Sequence, residues 1–188
     1  MTAAVNSPSN AHTYTPALIT LHWLTVLVIA AVFTAIELKG YFPKGSPERP
    51  LLTSIHMMLG ITVLLLVVVR IAIRTQNPAP PIVPASPAWQ NAIAHLTHLT
   101  LYAAMVAMPL LGWLMTSAGG HAVPFYGLSL PPLLSENKPL AHNLEEVHEF
   151  IGNALYYVIG LHAVAALAHH YAFRDNTLTR MLPMRRRA

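Results

Sequence analysis

The chain has 188 residues, 54% of them hydrophobic and only 10% charged, which is too apolar for a soluble domain of this size and reads as a single integral membrane domain spanning residues 1–188. It has no cysteine, so it holds no disulfide, iron–sulfur cluster or covalently attached c-type haem, and its 11 histidines are the abundant nitrogen ligand. The net charge of +4 does not indicate nucleic acid, because the arginines gather at the ends of apolar segments rather than among stacking aromatics; no nucleic-acid partner is expected.

Met1 to Pro16 contain no Lys or Arg, and the apolar run that follows is too long for a signal-peptide core, so it is expected to be retained as a first helix. Four segments are long enough to cross about 30 Å of hydrocarbon: 17–38, 51–74, 88–116 and 145–173. Gly40 to Pro50 closes the first connection, and the proline-rich run Asn77 to Pro84 forms the second. Ala118 to Asn143 makes a longer third, with Gly119, Gly120, Pro131 and Pro132. Pro109 is expected to kink the third helix without ending it. A basic tail, 174–188, follows the fourth. Arg70, Arg74, Arg174, Arg180, Arg185, Arg186 and Arg187 lie on the side of both termini, against Lys39, Lys44, Arg49 and Lys138 on the other, which predicts cytoplasmic termini.

Histidine is costly inside hydrocarbon and usually functional there. Fourteen residues of helix from His148 to His162 rise about 21 Å and return to within about 40° of the starting face. From His22 to Lys39 the first helix rises about 25 Å, while His56 lies about 8 Å inside the second, so these two differ in depth by about 18 Å. Two levels follow: His22 with His162 toward the cytoplasm, and His56 with His148 toward the outside. His169 is the rival partner of His22, but would need levels about 31 Å apart. Gly60 and Gly152 follow His56 and His148 by one turn on the same face and leave room for a flat macrocycle. Arg70 stands from His56 as His162 stands from His148, a cation at the depth of the inner level that suits a haem propionate. His12, His121 and His142 are expected in the tail or loops, solvated. His95 and His98 are read as packing residues first, with quinone contact or proton carriage as alternatives.

Zinc prefers four convergent ligands. Two nitrogens facing each other at each of two levels suit paired axial imidazoles across a porphyrin, which leave iron no open position for dioxygen and imply one-electron transfer.

Leu21-His-Trp-Leu24, Gly40-Tyr-Phe-Pro43, Arg49-Pro-Leu-Leu52 leading to Ile55-His56, Val69-Arg70, Pro78 to Pro84, Ala94-His-Leu-Thr-His98, Gly160-Leu-His-Ala163, His169-His-Tyr171 and Asp175-Asn-Thr-Leu178 together resemble the bacterial cytochrome b561 family, over about Leu18 to Pro183. The likeness is strongest to its superoxide oxidase branch. The resemblance implies an all-α, four-transmembrane-helix bundle enclosing two haem b groups, in the bacterial inner membrane. It makes His22 and His162 the axial ligands of the inner haem iron, and His56 and His148 those of the outer. It also implies that superoxide is oxidised to dioxygen on the periplasmic side and ubiquinone reduced on the cytoplasmic side. The quinone site would involve His169 and a lysine after the proline-rich turn, where this chain has Ala85. Asp175, His95 and His98 are placed for a proton route. Lys39, Lys44 and Arg49 offer superoxide a basic approach, against Glu145, Glu146 and Glu149 beside His148.

Two rivals follow from the same residues. One is a cytochrome b anchor passing electrons between a partner dehydrogenase or hydrogenase and quinone; the short termini offer little to grip, so membrane lipid and ubiquinone are expected as partners and no obligate protein. The other is a metal transporter whose intramembrane histidines bind a passing ion.

Overall fold

The computed structural model describes residues 13–183, so His12 and Arg185 to Arg187 lie outside the described residues. Four long helices dominate it: α1 (Pro16–Tyr41), α2 (Glu48–Gln76), α3 (Ala88–Ala118) and α4 (Lys138–Tyr171). All four are long and apolar enough to cross a membrane. Each is longer than the span that hydropathy assigns, because a helix does not end where hydrocarbon ends, although α3 starts at the expected residue 88 and α4 stops at Tyr171, short of the expected 173. The largest change is at α4, which begins at Lys138 rather than 145. Asn137 caps it, its side chain accepting from Leu140 N–H, and Pro139 suits the first turn, where no amide hydrogen is needed. At 34 residues α4 is about 51 Å long and projects a polar first two turns beyond the bilayer core. His142 therefore sits on this helix and not in a loop, although it is solvated as expected and lies 3.4 Å from Glu146.

Thr15 opens α1, accepting from Leu18 N–H with Pro16 behind it; such a cap contributes about 1 kcal/mol. Pro109 lies inside α3, and the helix continues through it. The third connection holds an antiparallel hairpin, β1 (Val123–Phe125) and β2 (Leu128–Leu130), in register Phe125 to Leu128. Its two turn residues, Tyr126 and Gly127, have φ of 46° and 87°, the doubly left-handed turn that matches strand twist. Only glycine adopts that backbone freely, and Tyr126 is carried by it.

The helices pack in chain order, α1 on α2, α2 on α3 and α3 on α4. Leu18 of α1 and Val67 of α2 are fully buried where those two meet. Elsewhere large apolar side chains point outward, Leu161 at 68% exposure among them, a surface that only lipid can cover.

One end of the bundle carries the start of α1, the segment after α4 and the second connection. There the segment after α4 is sewn to the rest. Asn176 donates from its backbone N–H to Val83 O, from Nδ2 to Pro81 O, and accepts Val83 N–H at Oδ1. A 3-10 turn (Thr179–Met181) follows, where Arg180 O accepts Tyr14 N–H and Met181 O accepts the Trp23 indole at 2.7 Å. The other end carries the β1–β2 hairpin.

Candidate functional site

The expected histidine pairs meet. Near the termini end the rings of His22 (α1) and His162 (α4) have centroids 6.4 Å apart, and near the hairpin end those of His56 (α2) and His148 (α4) are 6.2 Å apart. Both pairs link α4 to helices it does not follow in the packing order. A metal–nitrogen bond of about 2.0–2.1 Å on each side, plus about 1.1 Å from each ring nitrogen to its centre, separates two axial imidazole centroids by about 6.3 Å. Both pairs stand at that separation before any ligand is considered. Their ring planes cross at 78° and 70°.

The surroundings fit a flat macrocycle at the hairpin end. A side chain added at Gly60, one turn from His56, would meet nothing within 4 Å, whereas one added at Gly152 would touch Met108 at 3.7 Å. Gly112 of α3 is a further small position that sequence reasoning missed: a Cβ there would lie 3.5 Å from the His148 ring. His56 Nδ1 donates to Val32 O at 3.0 Å, which fixes its tautomer and leaves the Nε2 lone pair available as a ligand, the way metal-binding histidines are usually held.

The termini-side pair has a different setting. Arg70 is buried, with Nε donating to the Tyr102 hydroxyl at 3.0 Å and Nη1 to Leu18 O at 3.2 Å. Its charge reaches His22, His98 and His162. An arginine inside the bilayer costs about 2.5–3.5 kcal/mol on insertion scales, so a position without a carboxylate partner needs a reason; among the described residues no ion pair involves Arg70. His98 of α3 stands edge-on to His162, centroids 5.6 Å apart, so it belongs to this level. His95 turns away and bonds Asn91 O of its own helix.

His169 is not in either pair. Its Nδ1 donates to Asp175 Oδ2 at 2.5 Å, and Asp175 Oδ1 accepts Thr177 N–H. Burial acts to push the Asp175 carboxyl up, but these hydrogen bonds and the His169 charge outweigh it and hold it below the ordinary carboxylate range. A shallow cleft lined by Val83, His170, Arg174, Asp175, Asn176 and Thr179 opens beside this couple, and Ala85 lies exposed close to it in sequence.

At the hairpin end Lys138 is paired with Glu136 and does not fold inward, and Arg49 is committed to the Lys39 and Phe42 carbonyls. Lys39 is the basic group whose charge reaches His56.

Residues 13–184 match the family model described as Prokaryotic cytochrome b561. The chain belongs to this family. The cytochrome b561 relatives include Cytochrome b561 homolog 1 of Escherichia coli (strain K12), 40% identical over 88% of this chain and 94% of the relative. Probable superoxide oxidase CybB of Yersinia pestis is 38% identical over 88% of this chain and 93% of its own length. Cytochrome b561 homolog 2 of Escherichia coli (strain K12) is 26% identical over 86% of each. As a cytochrome b561 protein the chain is a multi-pass membrane oxidoreductase of electron transport, and the family implies haem b. The facing histidine pairs are the residues suited to hold it.

Proposed function

We propose that this cytochrome b561 protein is a superoxide:quinone oxidoreductase with two haem b groups, one held by His22 and His162 and the other by His56 and His148. The observation that carries the reading is the pair of facing imidazoles at 6.4 and 6.2 Å, about 21 Å apart along α4. Haem held there would supply one-electron transfer. In the balanced reaction two superoxide ions lose one electron each to give two dioxygen molecules, and one ubiquinone gains two electrons and two protons to give the quinol. The name of the Yersinia pestis relative supports superoxide as donor.

The protein's own groups divide the work by end. Both termini lie in the cytoplasm and the hairpin end faces the periplasm, following the basic residues. Lys39 draws the superoxide anion toward His56 and His148. Arg70 compensates a haem propionate at the inner level. His169 binds quinone, its Nδ1 proton held toward Asp175, which leaves Nε2 to face a quinone oxygen; a proton taken up at Nε2 from the cytoplasm is the one passed on to that oxygen. The clasp to Asp175 and Thr177 keeps that ring oriented.

The test is turnover by the purified chain in vesicles containing ubiquinone. Superoxide supplied outside is expected to disappear with one quinol formed for every two superoxide ions and with dioxygen evolved. Loss of superoxide no faster than its spontaneous dismutation, with quinone unreduced, would favour the anchor reading instead.

A further inference from the structure

Arg180 is only 7% exposed, and its Nε has no hydrogen-bond partner. One Nη donates to Pro80 O, and the guanidinium lies over the Tyr14 ring, 5.7 Å from its centre. Among the described residues no ion pair involves it, and the nearest acid in sequence, Asp175, is committed to His169 and Thr177. A buried, permanently charged fork with a free donor is costly unless an anion completes it.

Its position says which anion. Arg180 N–H bonds Asn176 O, and the next residue, Met181, accepts the indole of Trp23, whose ring meets that of His22 at 5.3 Å. The 3-10 turn thus brings a second guanidinium to the end of the bundle where Arg70 and the His22–His162 pair stand. A b-type haem carries two propionate carboxylates on one edge, and two arginines at this end of the bundle, neither in an ion pair among the described residues, match them.

We propose that Arg180 is an anion-binding residue that, with Arg70, receives the propionates of the haem held by His22 and His162; this rests on the two-haem reading above. The C-terminal turn is then part of the cofactor site.

The haem-loaded full chain tests it by redox titration and by resonance Raman of the propionate bending bands. In Arg180→Leu the termini-side haem is expected to show a shifted band and a lower midpoint potential, because an uncompensated carboxylate favours the oxidised iron; the hairpin-side haem is expected to stay unchanged. Arg180→Lys keeps the charge, so the potential stays near the parent value while the band shifts with loss of the fork. Asn176→Ala loosens the same turn but keeps the guanidinium, and is expected to leave both near their parent values. Should Arg180→Leu not fold, Arg180→Lys and Asn176→Ala carry the comparison. Equal shifts in Asn176→Ala would make the effect structural and overturn the proposal. So would unchanged bands in Arg180→Leu or Arg180→Lys, including the case where Arg180→Leu instead loses bound anionic phospholipid in native mass spectrometry, which would assign the site to a headgroup phosphate. Two haems with unmoved bands sink this proposal alone; a chain that binds none sinks the two-haem reading with it.

Discussion

The two histidine pairs are nearly alike in spacing and differ in what surrounds them. The hairpin-side pair is held by the backbone: Val32 O fixes the His56 ring, and Gly112 of α3 lies beside the His148 ring. The termini-side pair is held in charge: Arg70 acts on three rings, and His98 adds a third imidazole. Nearby cations favour the reduced form of a haem, so on the proposed two-haem reading the termini-side group would be the better electron acceptor of the two. That gradient would run from the Lys39 end to the His169 end, the direction the proposed reaction needs.

The largest effects come from breaking one pair and sparing the other. His162→Ala is expected to lower haem b from two to one per chain, read by pyridine haemochrome, while His169→Ala retains both. Loss of a haem from His169→Ala would mean that His22 pairs with the wrong residue here. Gly60→Leu puts a side chain into space where no protein atom lies within 4 Å. It should fold normally by circular dichroism yet lose the hairpin-side haem selectively; full haem content would remove Gly60 from the cradle.

Next come the functional ends. His169→Ala is expected to slow quinone reduction roughly 10²-fold, the scale of a lost positioned proton donor, with both haem spectra intact. Asp175→Asn addresses the clasp itself. Since the Asp175 pKa is depressed, its bond to His169 stabilises the folded chain fully above the ordinary carboxylate value of about 3.9 and is lost as pH falls through the lower folded value. Thermal melts of the parent chain should therefore lose this contribution in acid, and Asp175→Asn should lack that part of the slope. An identical pH profile for both would show the clasp to be energetically idle.

The smallest effect is at Lys39. Lys39→Ala is expected to slow superoxide consumption a few-fold at low salt, with the difference shrinking as ionic strength screens it. A salt-independent change would point to packing rather than steering.

The sequence carries the bundle because spans of this length and hydropathy have one use, and it carries the pairing because helical rise is fixed at about 1.5 Å per residue. Depth can be counted along α1, α2 and α4 without knowing how they pack. Rotation cannot, and so His98, whose place at the His162 level depends on how α3 turns toward α4, is legible only in three dimensions. The start of α4 at Lys138 escaped hydropathy because its first turns are polar and outside the hydrocarbon. The short β1–β2 hairpin is too brief to show a period. Arg180 read as one more basic residue of a tail, since its contacts with Tyr14 and Pro80 join positions 100 residues and more apart. The Asp175 clasp is half visible in the sequence: the acid follows the His169 end of α4, but the chain reversal that brings it back to His169 depends on the Asn176 bonds to the proline-rich connection.

The most direct measurement of the central claim is haem type and stoichiometry on the purified chain, with a potentiometric titration followed in the b-haem bands. Two stacked bis-histidine sites in unlike electrostatic settings predict two haem b per chain and two resolved reduction steps, the higher one abolished by His162→Ala and the lower one by His148→Ala. A single haem per chain, or two haems both surviving either substitution, would contradict the account.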